Sequence, residues 1–397
     1  MNTLPATPDE SSLRYSGWRV VVACFLMALA VWGFGLYGHA VYLAELTRLH
    51  GWSPAVIANA SSAAYLFNAV LVLFNHNALT WFGARRFVLF GTAALALALV
   101  LLAFAREPWQ VYVAYFTISF GWLAMGLVTI PTLISQSFTH KRGLAISLAL
   151  NGASFGGIVV APLLVLLIGI TGFTAAMLIA ATVMVVILVP VVLAWVPERA
   201  VAPPQAAHET TWTRRDALRS LPFWTVSGSF SLVLLAQVAF IVHQIAFMEP
   251  LVGRAQAALS VSIMTVMAVI GRLTLGAVVD RLDPRLISAG SMLSQAVALF
   301  CMTRLTDPAL LLAACAAYGF SVGNIITLPS LIMQREFPAA SFGVVLGLAT
   351  AMGTFTGALG PGLVGLIRDA TGDYGAALML CMALKIAGGA FVLVGKR

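Results

Sequence analysis

Twelve long apolar stretches, each cut off by charged or turn-forming residues, run through this chain, and they constrain its fold more than any other feature. Their limits fall near 18–44, 54–76, 87–105, 109–136, 143–168, 174–196, 222–248, 256–280, 286–304, 309–335, 342–369 and 374–394. A helix crosses a bilayer with roughly 20 mostly apolar residues, so twelve crossings fit the length. Only 9% of the 397 residues are charged, whereas a soluble domain carries about 25%. Polar surface is therefore too scarce to cover a water-soluble globule. The expected fold is an all-α membrane protein.

Topology explains the net charge of +8 better than a nucleic-acid partner does, because the basic residues are not gathered on one segment. With a cytoplasmic N-terminus, 15 lysines and arginines fall on the cytoplasmic side and 5 on the outer side. Both termini are thus predicted to be cytoplasmic. Arg272 and Lys385 are left inside the membrane. The polar tail 1–16 lacks the apolar core and cleavage site of a signal peptide, so the first apolar stretch reads as a retained helix. Cys24, Cys301, Cys315 and Cys381 have neither zinc-site spacing nor a disulfide framework, and no metal or cofactor is expected.

The chain repeats itself. Thr129-Ile130-Pro131-Thr132-Leu133-Ile134-Ser135-Gln136 recurs as Thr327-Leu328-Pro329-Ser330-Leu331-Ile332-Met333-Gln334, and Arg85 pairs with Arg285. Gly143, Phe155 and Gly157 likewise match Gly343, Phe355 and Gly357. Six crossings per copy make the two copies parallel, related by an axis along the membrane normal. The predicted organisation is a six-helix bundle with a short cytoplasmic tail over 1–196, a proline-rich charged linker over 197–220, and a second six-helix bundle over 221–397.

Gly276-Ala277-Val278-Val279-Asp280-Arg281, followed by Arg285, resembles the G-x-x-x-D-R cytoplasmic motif of the major facilitator superfamily. The first-half copy is degraded: His76 and Thr80 stand where glycine and aspartate are expected, before Gly83-Ala84-Arg85-Arg86. Arg142-Gly143-Leu144-Ala145, His243 and Gly271-Arg272-Leu273 make the pattern similar to the monocarboxylate and oxalate/formate porter branch. The resemblance implies a major facilitator fold of two pseudo-symmetric bundles that rock about a central site, alternately open to each side. It also implies a cytoplasmic gating motif comprising Gly276, Asp280, Arg281, Arg285 and Arg85.

Arg272 is the first candidate for substrate binding. A charge in the hydrocarbon costs at least about 2.5–3.5 kcal/mol, and no acidic residue lies within the preceding turn, where position 268 is Ala268. A free guanidinium fork accepts a carboxylate through two parallel hydrogen bonds. The competing reading is an arginine bonded to backbone carbonyls, or tied through Asp280 to the gating loop. Tyr37, Tyr115, Asn151 and Asn324 could orient a carboxylate, although such groups also join helices. His243 and His39, on helices that face the cavity in the resembled fold, could carry a coupling proton or be neutral hydrogen-bonded imidazoles. The stem of Lys385 is expected to reach toward the cytoplasmic face. Gly152, Gly156, Gly157, Gly353, Gly357 and Gly360 are expected to form sliding surfaces between the halves, or simply to pack tightly.

The function expected is secondary transport of a small organic anion, a mono- or dicarboxylate, by proton symport or anion exchange. The protein is expected to be a monomer in the plasma membrane, the inner membrane of a bacterium. An efflux pump for amphipathic drug-like solutes is the alternative with the same fold. A non-transporting receptor lacks the soluble output domain it would ordinarily need. An enzyme is disfavoured because no phosphate-binding loop, metal-ligand cluster or nucleophile–base pair stands out.

Overall fold

The computed structural model describes residues 10, 12, 15–138, 141–198, 212–278, 282–337 and 342–394. All regular structure among them is helical, and twelve helices are long and apolar enough to cross a membrane. They are α1 (Gly17–His50), α2 (Pro54–Leu71), α3 (Ala84–Ala103), α4 (Pro108–Ile134), α5 (Leu144–Thr171) and α6 (Phe173–Trp195), then α7 (Leu221–Val252), α8 (Arg254–Leu275), α9 (Pro284–Arg304), α10 (Pro308–Met333), α11 (Val345–Thr371) and α12 (Gly375–Leu393). Residues 199–211 of the expected linker lie outside the described residues, and a short helix, Arg214–Arg219, leads into α7.

Several starts are written locally as an oxygen-bearing residue before a proline. Ser53, Asp283 and Asp307 cap α2, α9 and α10 with their side chains, each followed by a proline at the first helical position. Proline costs nothing there, because that N–H has no partner in the helix anyway. Gly253, at φ 81°, lets α7 end and α8 begin with no intervening loop. A side chain rarely adopts that conformation, so a glycine holds the corner.

α1 is longer than its apolar pattern suggested, running to His50 rather than to about 44. Glu45 and Arg48, one turn apart, pair along the helix at 2.5 Å, so its polar end remains helical until Gly51 turns left-handed at φ 67°.

Within the first six helices α1 packs on α5, α2 on α4, and α3 on α4 and α6. The same pairings recur in the second six as α7 on α11, α8 on α10, and α9 on α10 and α12. Contact between the two sets runs along α2–α11, α1–α7 and α5–α8. The ends carrying Gly17 and Leu393 share one face, here called the linker face, because each set crosses an even number of times.

Small residues set these spacings, most of them by packing tightly within one set rather than between the two. Gly152 and Gly156 abut Phe25 and Gly33 of α1, and Gly353, Gly357 and Gly360 abut Leu234, Leu235 and Val238 of α7, all within one set. The glycines that face the other set are Gly157, against Thr265, and Gly362 and Gly365, against Asn59 and Ala55. Which face a glycine presents depends on helix rotation, which composition does not fix. The tightest approach is at Gly271, where a Cβ would stand 1.8 Å from the carbonyl oxygen of Phe320 on α10. Gly271→Ala is expected to force α8 from α10 at about 1–3 kcal/mol, lowering the melting temperature by about 2–5 °C in a detergent thermal shift. Gly347→Ala, with nothing within 4 Å, is the control that leaves it unchanged.

Candidate functional site

Two helices are locally underwound where the halves meet. α1 contains a π-helical turn at Gly33–Tyr37 and α5 contains one at Gly156–Val160. The turns lie against each other, a Cβ at Gly156 falling 2.7 Å from the Gly33 nitrogen. Such bulges leave carbonyls for side chains to satisfy. The Gly35 oxygen accepts from Trp122 Nε1 at 3.2 Å and from the Tyr65 hydroxyl at 3.3 Å. The bulge also sets the Tyr37 ring against Gly157, which faces Thr265 of α8 as well.

Two turns along α8 from Thr265 is Arg272. Its Nη2 donates to Ser154 Oγ of α5 at 2.5 Å, and its Nε reaches the Ala268 carbonyl at 3.4 Å. The charge also interacts with the Tyr37 hydroxyl. Gly323 of α10 makes room for the stem, since a Cβ there would fall 2.7 Å from Arg272 Cγ. The side chain is half-buried about 27 Å along α8 from Arg254, at the rise of 1.5 Å per residue, and no carboxylate among the described residues pairs with it.

Of the other candidates, Tyr37 lies close enough for an electrostatic interaction with Arg272. Asn151 is half-buried one turn before Ser154, and Asn324 adjoins Gly323 with its Oδ1 buried and unpartnered. Tyr115 lies elsewhere, fully buried and stacked on His39 at 4.3 Å. His39 Nδ1 bonds the Tyr65 hydroxyl at 3.0 Å, while its Nε2 is buried without a partner. His243 is satisfied at both nitrogens. Nε2 donates to the Pro361 carbonyl at 2.9 Å, and Nδ1 is hydrogen-bonded with the Tyr374 hydroxyl at 3.1 Å. Both nitrogens thus have partners within the second bundle.

At the linker face, Arg85 donates to the Val196 carbonyl and to Glu198, both at 2.9 Å. Arg285 holds Glu336 with two parallel bonds of 2.5 and 2.6 Å and the Val392 carbonyl at 2.5 Å. Each arginine thus ties the start of its set's third helix to the end of the sixth, a correspondence of the two repeats. Gly276 lies in the last turn of the helix that runs to Val278, whereas Asp280 and Arg281 lie outside the described residues. Lys385 does not reach toward either face: it is fully buried inside the second bundle.

The sequence reading missed Glu45, since it placed the residue beyond the first helix. Its side chain, 2% exposed, sits between Arg48 of its own helix at 2.5 Å and Arg254 of α8 at 2.6 Å. Arg254 Nη2 lies off the hydrogen-bond axis, so that contact is chiefly electrostatic. Nearby, Ser53 donates to Asp369 of α11, and the Gly362 amide donates to Ser62 of α2 at 2.8 Å. These bonds close the halves together on the face opposite the linker.

The family model of the Major Facilitator Superfamily matches residues 20–393. The chain belongs to this superfamily. It is 27% identical to monocarboxylate transporter 11 of Mus musculus over 421 residues, covering 100% of this chain and 90% of that protein. It is also 27% identical to monocarboxylate transporter 13 of Bos taurus, covering 94% and 87%. Among solved structures, a single-substitution variant of the nucleoside transporter NupG superposes with a TM-score of 0.77 at 18% identity, covering 96% and 100%. As a major facilitator, the protein is an integral, multi-pass membrane transporter for a small molecule.

Proposed function

We propose that this transporter moves a small organic anion, a mono- or dicarboxylate, across the bacterial plasma membrane by alternating access. The observation that carries this reading is Arg272: a half-buried guanidinium at the α5–α8 crossing, bonded to a hydroxyl and a carbonyl and to no carboxylate among the described residues. Exchanging the Ser154 hydroxyl for a carboxylate would replace one bond to a neutral oxygen by two parallel bonds between opposite charges. Tyr37, Asn151 and Asn324, on α1, α5 and α10, are its orienting groups in this reading, while Tyr115 stacks on His39 apart from them. The names of the relatives, monocarboxylate transporters 11 and 13, point to the same substrate class.

In this reading the linker face is cytoplasmic, in keeping with the excess of lysine and arginine there, and Glu45 belongs to the outer gate. Arg85 and Arg285 brace the cytoplasmic ends, Gly276, Asp280 and Arg281 complete the gating motif by sequence, and the transporter works as a monomer with its termini inside, by proton symport or anion exchange.

Counterflow in proteoliposomes tests the substrate class. Vesicles preloaded with unlabelled lactate, pyruvate, oxalate or succinate are expected to take up the matching radiolabelled acid. Preloading with nucleosides, sugars or amphipathic cations is expected to drive none. Counterflow confined to one of those neutral or cationic solutes would overturn the anion reading.

A further inference from the structure

α12 carries a cation that the cycle above does not use. Lys385 is fully buried, as are Gln295 of α9 and Tyr318 of α10 beside it. Its Nζ donates to Gln295 Oε1 at 2.5 Å and stands 4.9 Å from the centroid of the Tyr318 ring. Gln295 Nε2 and the Tyr318 hydroxyl are both buried without a partner, so the cluster has unused polar capacity.

No counter-charge faces it among the described residues. α12 contributes Cys381, one turn before Lys385, and α10 contributes Cys315 beside Tyr318. On α7, the packing of Gly388 against Ser229 and Val233 sets the level, and the nearest titratable group, His243, is held by Tyr374 and Pro361. α11 has no charged residue between 345 and 367, and on α9 the side chain that meets Lys385 is the neutral Gln295. An ammonium buried without a counter-ion costs several kcal/mol, so its charge responds to small changes in its surroundings. α10 links this cluster to Arg272. It touches the stem of Arg272 at Gly323 and the Lys385 amine at Tyr318, five residues away.

We propose that Lys385 is a proton-binding site of this transporter, its amine taking a proton from water on one side of the membrane and releasing it to water on the other as α10 moves. Within a carboxylate symport cycle, which rests on the function proposed above, this makes Lys385 the group that couples the pH gradient to accumulation. Among the ligands a lone buried amine could take, a proton alone requires no cavity.

Lys385→Met, nearly equal in length, is the variant to test, with Lys385→Gln as its substitute should Met not purify as a single species. A one-unit pH gradient supports about tenfold accumulation per coupled proton. Gradient-driven accumulation is expected to fall to about onefold in the variant, while exchange at equal pH stays within about threefold of wild type, a change worth under 1 kcal/mol. The second measurement needs no substrate: the difference in melting temperature between wild type and Lys385→Met is followed over roughly pH 5 to 9. It changes with pH if the amine takes up a proton. Unchanged accumulation, or a difference flat across pH, overturns the proposal. Should wild type move no carboxylate, the substrate reading fails, and the melting difference still decides the role of Lys385.

Discussion

Carboxylate uptake by an Arg272→Gln variant is expected to fall by at least about 100-fold, because two charge-assisted bonds worth about 1.5–3 kcal/mol each are lost. Arg272→Lys is expected to abolish uptake as well. Its ammonium keeps the charge but cannot present a planar fork, and the shorter head no longer reaches Ser154 Oγ with the same geometry. Neither change should unfold the protein, since the guanidinium is half-buried, Arg272→Gln relieves a charge held in the bilayer, and Arg272→Lys adds none. Thermal-shift and size-exclusion profiles matching wild type would establish that. Ser154→Ala is the informative companion, removing the uncharged partner of one Arg272 bond while keeping the guanidinium, and reducing uptake only about threefold to tenfold. Wild-type uptake of lactate or oxalate by the Arg272→Gln variant would place the binding site elsewhere.

The second large effect is expected at Glu45. Removing its charge by Glu45→Gln leaves Arg48 and Arg254 facing each other across the closed halves with no anion between them. The lost attraction, together with the new repulsion, is worth about 2–4 kcal/mol for a partly buried pair and shifts the equilibrium between open and closed by about 30-fold to 1,000-fold. Spin labels at Leu49→Cys and Leu251→Cys, exposed positions near the ends of α1 and α7, report the gap by pulsed electron resonance. A longer distance should gain population in the variant. An unaltered distance distribution would mean that the Ser53–Asp369 and Ser62–Gly362 bonds suffice to hold this face closed.

The candidate site was only partly legible before the fold was known. Arg272 stood out because a charge inside an apolar stretch is conspicuous, and Tyr37 proved to be its neighbour through a π-helical turn that no periodicity signals. Tyr115 and His243 were equally plausible by type, yet one is stacked in the first bundle and the other is satisfied by a carbonyl and a phenol. Polar residues in membrane helices look alike in sequence whether they face a cavity or join helices. Rotation of the helix about its axis separates the two cases, and small side chains on neighbouring helices set that rotation.

By itself, the sequence determined that twelve helices cross a membrane and that they form two copies of one pattern. Both follow from local hydropathy and from repeats along the chain, which need no knowledge of neighbours. Only the tertiary structure decided which charges meet. Glu45 reaches Arg254 across 209 positions because α1 and α8 approach at the closed face. Lys385 is enclosed because α9, α10 and α12 surround it, although a lysine stem in isolation reaches toward water. Each outcome depends on a partner far away in the chain, and the energy of a buried charge is set by that partner rather than by the residue that bears it.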